Sequence, residues 1–575
     1  MKKTTWIVGI VVLLVAAMML QGCSLLSLLM AGDEEFAYLG YARDYAPRLD
    51  YASFVDMEYT HMDVAALSAD FEEVGQMALA EESPEDVSAA FQAAFDDYLL
   101  FYTMLNIAYV RYTIDLNDSY YEAESLYCEE QSDVLEQALE NCYIDLASSS
   151  ISGDLEDLYF GAGFFDGYDE SYEGTYSNDR VVELFQRESQ LLSEYYALQN
   201  EASVTYNGEE VLLYEAAADP NISYEAYNEL LALYYEKYTP LAGEVFVQLL
   251  QVRSELAEEM GYDSYAQLAY DMYYDRRYTP DQALAYAQEL QEVLLPIYGE
   301  SGESPYLPSM SGERVMELLQ EVSETFGGEI AQANRFMREF SLYDISSSSS
   351  KKPGSYTLYL ESYESPFLYV SPEGTLSDLL VVTHEFGHFA EGYMTFNTVS
   401  SADVAEVFSQ SLEYLMLDVV DLPASQIRQL SRAKMIESLE TFIFQSCYYE
   451  FEAKVYELED PTVESVTALY SEVMAEVCAL DPDYELFYTS GWIDIEHVFS
   501  MPYYVISYCV SNDAALQVYA LEHESAGSGL EAYYTLLEHA PNNTLLDMLS
   551  DSGLDSPFKA GRAQELAEFF AEVLP

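Results

Sequence analysis

Cysteine, histidine and basic side chains are scarce in this chain: its 575 residues include 6 Cys, 6 His and 22 Lys+Arg. The cysteines stand at positions 23, 128, 142, 447, 478 and 509. No two of them have C-x-x-C spacing, which excludes a cysteine zinc knuckle and a dense disulfide framework. We expect free buried thiols, with a Cys128–Cys142 bridge as the alternative.

The shortage of positive charge excludes a further class of function. Against 22 Lys+Arg stand 102 Asp+Glu, and the formal net charge is -80. Because such a surface repels a phosphate backbone, nucleic acid is not expected as a partner. Hydrophobic residues make up 50% of the chain, enough to fold, and its length allows two or more core-bearing units. The acidic excess is typical of a heavily solvated surface; a preference for cationic substrates is the alternative.

Long apolar runs are also rare, and the one near the start of the chain predicts targeting. Two lysines precede an apolar stretch from Trp6 to Leu20, as in a secretory signal. The sequence L-Q-G-C, which ends at Cys23, resembles a bacterial lipobox. The resemblance implies that residues 1–22 are a signal peptide and that Cys23 carries a lipid. This anchor would hold the protein on the extracytoplasmic face of the cell membrane; an uncleaved membrane helix is the alternative.

The pattern of the remaining chain is mainly helical, with a few β elements. Apolar residues recur at three- to four-residue spacing from about residue 60 to 147, and again from 401 onward. An Asn207-Gly208 pair predicts a short hairpin, and Tyr356–Leu360 and Phe367–Val370 are typical of strands.

A metal-binding pattern, H-E-x-x-H, begins at His384 after an apolar run. We expect a helix here, capped by Thr375 or Ser377. Because a helix turns about 100° per residue, His384 and His388 point the same way one turn apart. Two neutral imidazoles on one helix face are typical zinc ligands, and Glu385 beside them is placed to take a proton from the attacking water.

A catalytic zinc ion needs a third protein ligand from another element, because one helix face offers two good positions. No further His follows His388 for more than 100 residues, so we expect a carboxylate. Glu406 lies on a predicted helix among apolar neighbours, where a carboxylate needs a partner. Glu413 on the same face is expected to accept a hydrogen bond from a ligand histidine or to brace the helix. Glu391, just past the second histidine, is the rival third ligand.

These motifs resemble those of oligoendopeptidase F-type enzymes in the thimet oligopeptidase-like metallopeptidase family. The matching stretches are H-E-F-G-H at 384–388, E-V-F-S-Q-S-L-E at 406–413, the approach segment at 352–378 and R-S-E-L-A at 253–257. The resemblance implies a mainly α fold with two helical lobes, a deep central channel and a small β-sheet next to the H-E-x-x-H helix. It also implies one Zn²⁺ per chain, bound by His384, His388 and Glu406, with Glu385 as the general base.

The family also places a histidine and tyrosines from a C-terminal segment over the substrate. Here His497, Tyr504 and Tyr508 fit this role, at the seven- and four-residue steps of one helix face. Imidazole or phenol donors in this position would stabilise an oxyanion. Tyr503 competes with Tyr504 for its place.

The expected function is zinc-dependent hydrolysis of internal bonds in short unfolded peptides. A peptide is expected to pair with the strand around Gly354, Ser355 and Tyr356, which tolerates different side chains. A dipeptidyl carboxypeptidase-type exopeptidase and a non-catalytic peptide-binding lipoprotein are the alternatives. We expect an N-terminal helical lobe at residues 23–200 and a catalytic zinc-peptidase domain at residues 201–575.

Overall fold

The computed structural model describes residues 49, 51–167, 179–200, 202–213, 216, 222–397, 401–541 and 543–574. The predicted signal peptide and lipidation site, residues 1–22 and Cys23, lie outside the described residues. Among the helices that are described, none combines the length and the apolar character that crossing a bilayer requires.

The described chain is mainly helical, as predicted. Its N-terminal helices are α1 (Val64–Leu79), α2 (Pro84–Ile114), α3 (Ser119–Ser148), α4 (Ser152–Leu155) and α5 (Asp179–Asn200). The middle of the chain contains α6 (Tyr224–Glu259), α7 (Tyr265–Leu268), α8 (Pro280–Ser301), α9 (Gly312–Phe326), α10 (Gly328–Glu339), α11 (Asp378–Thr395), α12 (Ala402–Val419) and α13 (Ala424–Val455). The C-terminal helices are α14 (Val463–Val473), α15 (Ala475–Leu480), α16 (Glu485–Ser490), α17 (Glu496–Ser500), α18 (Ile506–Glu524), α19 (Ser528–His539), α20 (Leu545–Asp551) and α21 (Arg562–Val573).

A two-stranded hairpin follows α5. Its strands are β1 (Ser203–Tyr206) and β2 (Glu209–Leu212), which pair antiparallel. The two turn residues, Asn207 and Gly208, have φ angles of 53° and 87°, the left-handed pair that a tight hairpin turn requires. The predicted hairpin is therefore confirmed.

A second small sheet lies next to the H-E-x-x-H helix, as the family resemblance implies. Its strand order is β3 (Tyr343–Asp344), β5 (Ser365–Val370), β4 (Ser355–Leu360). β4 runs antiparallel to β5, and β3 runs parallel to it. α11 packs against both β4 and β5. The two predicted strands are confirmed, and β4 forms an edge of the sheet.

Two hydrophobic clusters hold the described elements together. α1, α2 and α3 share one core, which includes Phe71, Phe91 and Tyr98. The second half of α2 contributes Ile107 and Val110 to a much larger core, which continues through the sheet to the C-terminal helices. α2 therefore ties the N-terminal helices to the elements that carry the candidate site.

The cysteines of the described chain carry no disulfide, as expected. Cys128 and Cys142 are free and buried, so the alternative bridge between them is absent. Cys478 differs from the expectation in being only half-buried.

Candidate metal centre and active site

The start of α11 is organised by an aspartate. The Asp378 carboxylate accepts hydrogen bonds from the backbone N–H groups of Glu373, Gly374 and Thr375, at 2.8 to 3.2 Å. Ser377, at the N-cap position, has helical backbone angles and makes no side-chain cap bond. The predicted cap at Ser377 is therefore wrong, whereas the Thr375 hydroxyl accepts from the Ser377 N–H at 3.3 Å, one residue before the helix begins. The Asp378 carboxylate instead binds the preceding turn and lies at the positive end of the helix.

A glycine lets α11 and α12 approach closely enough to share a site. A Cβ atom built on Gly387 would lie 2.4 Å from the Cα of Ser409, a distance that no real side chain tolerates. Glycine is thus required between the two histidines of the motif. The close approach brings Glu406, one turn before Ser409, opposite the imidazoles.

Three side chains from these two helices converge. Nε2 of His384 lies 3.5 Å from Oε2 of Glu406, and Nε2 of His388 lies 3.8 Å from the same oxygen. In the described part of the chain these residues form the one group of potential metal ligands, with ligand atoms within 4.8 Å of one another. Two ligands about 2.0–2.2 Å from a tetrahedral ion are about 3.3–3.6 Å apart. The 3.5 Å separation lies within this range and the 3.8 Å separation just above it, so a small movement of the His388 side chain suffices for a zinc-sized cation.

A second layer of charged side chains orients one of the imidazoles. Nδ1 of His384 donates to Oε1 of Glu413 at 2.8 Å, which leaves Nε2 facing Glu406. The buried Lys434 ammonium donates to the other oxygen of Glu413 at 2.6 Å. Glu413 therefore takes the position expected of a residue that fixes a ligand's tautomer.

The two imidazoles differ in their affinity for protons. Burial lowers the pKa of His384, but the hydrogen bond and charge of Glu413 outweigh it and raise this pKa to about 9. Burial lowers the pKa of His388 to about 4, against the opposing charge of Glu406. Any ion that binds both nitrogens must displace a proton from His384.

Glu385 is buried on the sheet side of the same helix. Its Oε2 accepts a hydrogen bond from the Thr357 hydroxyl at 3.0 Å, and the same hydroxyl donates to its backbone carbonyl at 2.9 Å. Burial raises the pKa of Glu385 to about 7, although His384 acts in the opposite direction. A carboxylate with a pKa near neutrality can both accept and return a proton.

The predicted C-terminal residues also reach the site. The fully buried Tyr504 donates its phenol proton to Oε1 of Glu406 at 3.0 Å, while Oε2 of Glu406 faces the histidines. The Tyr508 hydroxyl lies 3.5 Å from Nε2 of His497, and the three rings pack with centroids 5.1 to 6.0 Å apart. Tyr503 points elsewhere and packs against Tyr449.

The rival ligand Glu391 lies apart from this group. Its carboxylate accepts a hydrogen bond from Thr395, one turn further along α11, at 2.5 Å. Burial raises the pKa of Glu391 to about 7. It therefore packs within its own helix.

The edge strand β4 runs past Glu385, and at two of its residues no described part of the chain pairs with its outer edge. The Gly354 carbonyl accepts from Ser371 on the β5 side, so the strand's alternation points the backbone groups of Ser355 and Thr357 away from β5. At Tyr359 the outer edge of β4 is occupied, because the Tyr359 carbonyl accepts a hydrogen bond from the Asn106 side chain of α2 at 2.8 Å. Of the three residues predicted to bind substrate, Ser355 faces the free edge, while Gly354 and Tyr356 face β5.

Several residues of the site were missed at the sequence level. They are Thr357, which binds Glu385; Lys434, which binds Glu413; and Asp403 with Arg276, a buried ion pair just before Glu406. Lys434 and Arg276 belong to the 22 basic residues of this acidic chain. Neither stands in an apolar stretch, since Arg276 lies between Asp275 and Arg277 and Lys434 lies between Arg432 and Glu437. Their local sequence therefore carried no signal of a buried partner.

The described chain combines a mainly helical fold with convergent His, His and Glu side chains beside an H-E-x-x-H helix, the donor set typical of metallopeptidases. The family model for the Peptidase M3 N-terminal domain matches residues 54–171, and the model for Peptidase family M3 matches residues 328–568. Together the two models cover more than half of the chain. The chain belongs to peptidase family M3.

Two curated relatives are similar to parts of the chain. The oligoendopeptidase F homolog of Borreliella burgdorferi is 24% identical over 201 residues, which is 32% of this chain and 34% of the relative. The chromosomal oligoendopeptidase F of Lactococcus lactis subsp. cremoris is 25% identical over 253 residues, 41% of each chain. The matches therefore span well under two thirds of the relatives' length.

Solved structures share the fold over most of the chain. PZ peptidase A with an inhibitor superposes with a TM-score of 0.74 at 21% identity, covering 91% of this chain and 99% of that one. Oligoendopeptidase-F from Enterococcus faecium gives a TM-score of 0.59 at 14% identity, covering 89% and 96%. At these identities the likeness supports the fold alone.

Proposed function

We propose that this protein is a zinc-dependent endopeptidase that hydrolyses internal bonds of short unfolded peptides. The observation that carries the proposal is the convergence of His384, His388 and Glu406 beside Glu385. Two imidazole nitrogens and one carboxylate oxygen leave a fourth position open, the arrangement of catalytic zinc sites. Bound zinc would polarise the peptide carbonyl and lower the pKa of water, the chemistry that such sites supply.

Glu385 is the general base of this proposal. It takes a proton from the attacking water and returns it to the leaving amine. Thr357 holds the carboxylate in place from the edge strand, at 3.0 Å. The raised pKa of about 7 suits a group that must do both within one cycle.

His497 and Tyr508 are the donors that we assign to the oxyanion. The Tyr508 hydroxyl lies 3.5 Å from Nε2 of His497, on the side of the site formed by α17 and α18. Tyr504 has a different task in the proposal. Its phenol orients Glu406, to which it donates, so its main effect is on the metal ligand.

The peptide is proposed to bind as an added strand on β4. Ser355 and Thr357 offer outward-facing backbone groups close to Glu385, and main-chain pairing of this kind tolerates many side chains. The names of the curated relatives, an oligoendopeptidase F and its homolog, agree with an endopeptidase acting on short peptides.

The decisive experiment uses peptides of increasing length, each prepared in one form blocked at both ends and in a second form with a free C-terminus. The protein starting after Cys23 is assayed with its zinc removed by a chelator and then restored. Internal cleavage that disappears and returns with zinc supports an endopeptidase. Cleavage confined to peptides with a free C-terminus would favour the dipeptidyl carboxypeptidase alternative. Binding of peptide without turnover in the zinc-loaded protein would favour the non-catalytic alternative.

We also propose that a lipid at Cys23 anchors the protein to the extracytoplasmic face of the cell membrane. The support is the signal-like sequence of residues 1–22 and its L-Q-G-C end. Mass spectrometry of the N-terminal peptide from the bacterial membrane fraction tests it. A mature N-terminus at a diacylated Cys23, absent in Cys23→Ser, is expected. An intact Met1 in the membrane fraction would favour the uncleaved helix.

A further inference from the structure

The end of α17 and the segment between α17 and α18, which carries Tyr504, are held by buried side chains from other elements. The Phe499 carbonyl accepts a hydrogen bond from the guanidinium of Arg253. The Pro502 carbonyl accepts from the Tyr274 hydroxyl at 2.8 Å. Neither partner is near in sequence, so the path of this segment depends on tertiary contacts.

The residue just before Tyr504 adopts a backbone conformation that bulky side chains rarely take. Tyr503 has a φ of 69°, in the left-handed region. Its N–H donates to Oε1 of Glu452 at 2.9 Å, and its carbonyl accepts from Nη1 of Arg276 at 2.8 Å. A strained residue persists only where its surroundings hold it, and here both of its backbone groups are held.

Arg276 binds more than this carbonyl. Its guanidinium also pairs with Asp403, with Nη2 to Oδ1 at 3.1 Å, and Nη2 donates to the Ser507 hydroxyl at 2.7 Å. Tyr278 donates to the second oxygen of Asp403 at 2.7 Å. The Arg276 side chain is fully buried and lies over the rings of Tyr274 and Tyr278.

These contacts of Arg276 lie close in sequence to both residues of the Tyr504–Glu406 hydrogen bond. Asp403 precedes Glu406 by three residues on α12, and the Tyr503 carbonyl immediately precedes Tyr504. The Arg276 guanidinium therefore links α12, which carries Glu406, to the segment that carries Tyr504. The Tyr504 phenol is the group that donates to Glu406. An ammonium could not make the same set of contacts, because it lacks the fixed fork of donors.

We propose that Arg276 is a positioning residue that sets the Tyr504 phenol against Glu406; the inference rests on the proposed metal site. Arg276 acts on Glu406 through Tyr504, whose phenol it holds in place through the Tyr503 carbonyl. Loss of its fork moves the phenol away from Glu406 and weakens the hold of this carboxylate on zinc.

The test compares Arg276→Lys, Tyr504→Phe and the double variant in their affinity for Zn²⁺ alone, measured by competition with a chelator. Each single variant is expected to bind zinc about 10-fold more weakly, as is usual when a partner of a metal ligand is lost. Because Arg276 acts through Tyr504, the double variant is expected to bind no more weakly than Tyr504→Phe within about twofold. Losses that multiply in the double variant, or unchanged affinity in Arg276→Lys, would overturn the proposal.

The matched control is Arg562→Lys. Arg562 pairs with the buried Asp513 on α18, at 2.8 Å, but contacts neither Tyr503 nor Glu406. Its zinc affinity is expected to stay within about twofold of the wild type, whatever stability it loses. An equal loss of zinc affinity in Arg562→Lys would mean that replacing any buried arginine near α18 weakens zinc binding, and would count against a specific role of Arg276.

Crystal structures of the variants give a readout that needs neither zinc nor turnover. In Arg276→Lys the phenol oxygen of Tyr504 is expected beyond hydrogen-bond distance of Glu406, while in Arg562→Lys it stays in place. If Arg276→Lys does not fold, Ser507→Ala removes one contact of the guanidinium and should shift the phenol in the same direction. An undisturbed Tyr504–Glu406 contact in these variants refutes the inference. A wild type that binds no zinc refutes the proposed function instead.

Discussion

Nδ1 of His384 donates to Glu413 at 2.8 Å, and Lys434 donates to the opposite oxygen of that carboxylate at 2.6 Å. Lys434 and Glu413 are almost fully buried. The lysine lowers the pKa of Glu413 against the raising effect of burial. The carboxylate thus stays charged, and a charged acceptor fixes the proton of His384 on Nδ1 and leaves Nε2 for the metal.

Replacing Lys434 by Met is therefore expected to weaken zinc binding about tenfold. Glu413 would lose its partner and, once protonated, would hold the imidazole less firmly. Chelator competition measures the change. Lys559→Met serves as the control, since Lys559 pairs with Asp555 at 2.6 Å on the surface and such pairs contribute little. Equal affinities in the two variants would count against the orienting role of Glu413.

The change Glu385→Gln should separate metal binding from chemistry. Glutamine keeps the size of the side chain and its contact with Thr357 but cannot accept a proton. We expect full zinc content, determined by elemental analysis, and at least a 1000-fold fall in kcat, on the order expected for loss of an acid–base group. Turnover at the wild-type rate would remove Glu385 from the mechanism.

Gly387→Ala tests the close approach of α11 and α12. The added methyl group would meet the Ser409 backbone at 2.4 Å, and backbone cannot move as a side chain can. We expect the free energy of unfolding to fall by about 1–3 kcal/mol or more, together with loss of zinc. Denaturant unfolding provides the measurement. Gly153→Ala, where a Cβ meets nothing within 4 Å, should be neutral or slightly stabilising.

The buried carboxyl of Asp494 is expected to make stability depend on pH. Burial raises its pKa to about 6, against the hydrogen bonds from Tyr234 and Tyr235. Since the folded pKa is above the ordinary value of about 3.9, the folded state binds the proton more tightly than the unfolded state. The stabilisation from this proton is complete below about pH 4 and is lost as the pH rises through 6.

The measurement compares wild type with Asp494→Asn, whose side chain does not titrate. Between pH 4 and pH 7 the wild type should lose on the order of 2 kcal/mol of unfolding free energy relative to the variant. A difference that stays constant with pH would mean that the Asp494 pKa is the same in the folded and unfolded states.

Local patterns predicted the parts of this protein that depend on neighbours in sequence. The hairpin at Asn207-Gly208 and the strands around Tyr356 and Phe367 follow from turn chemistry and β propensity. The pairing of His384 with His388 follows from helix geometry, and the position of Glu406 was inferred from its isolated charge in an apolar helix.

The failures concern contacts between distant segments. The cap of α11 depends on how the loop at residues 373–375 folds back onto Asp378, which no local pattern reveals. Thr357 reaches Glu385 from a strand, and Lys434 reaches Glu413 from another helix. In each case the polar partner is chosen by the packing of whole elements, so single-residue patterns could indicate only that a partner was needed.

The most direct measurement of the central claim is anomalous diffraction at the zinc absorption edge, from crystals of the zinc-loaded protein. We predict one peak, within about 2.0–2.2 Å of Nε2 of His384, Nε2 of His388 and Oε2 of Glu406. A peak elsewhere, or no peak between these atoms with Glu406 turned away from the histidines, would contradict the assignment of this site as the catalytic metal centre.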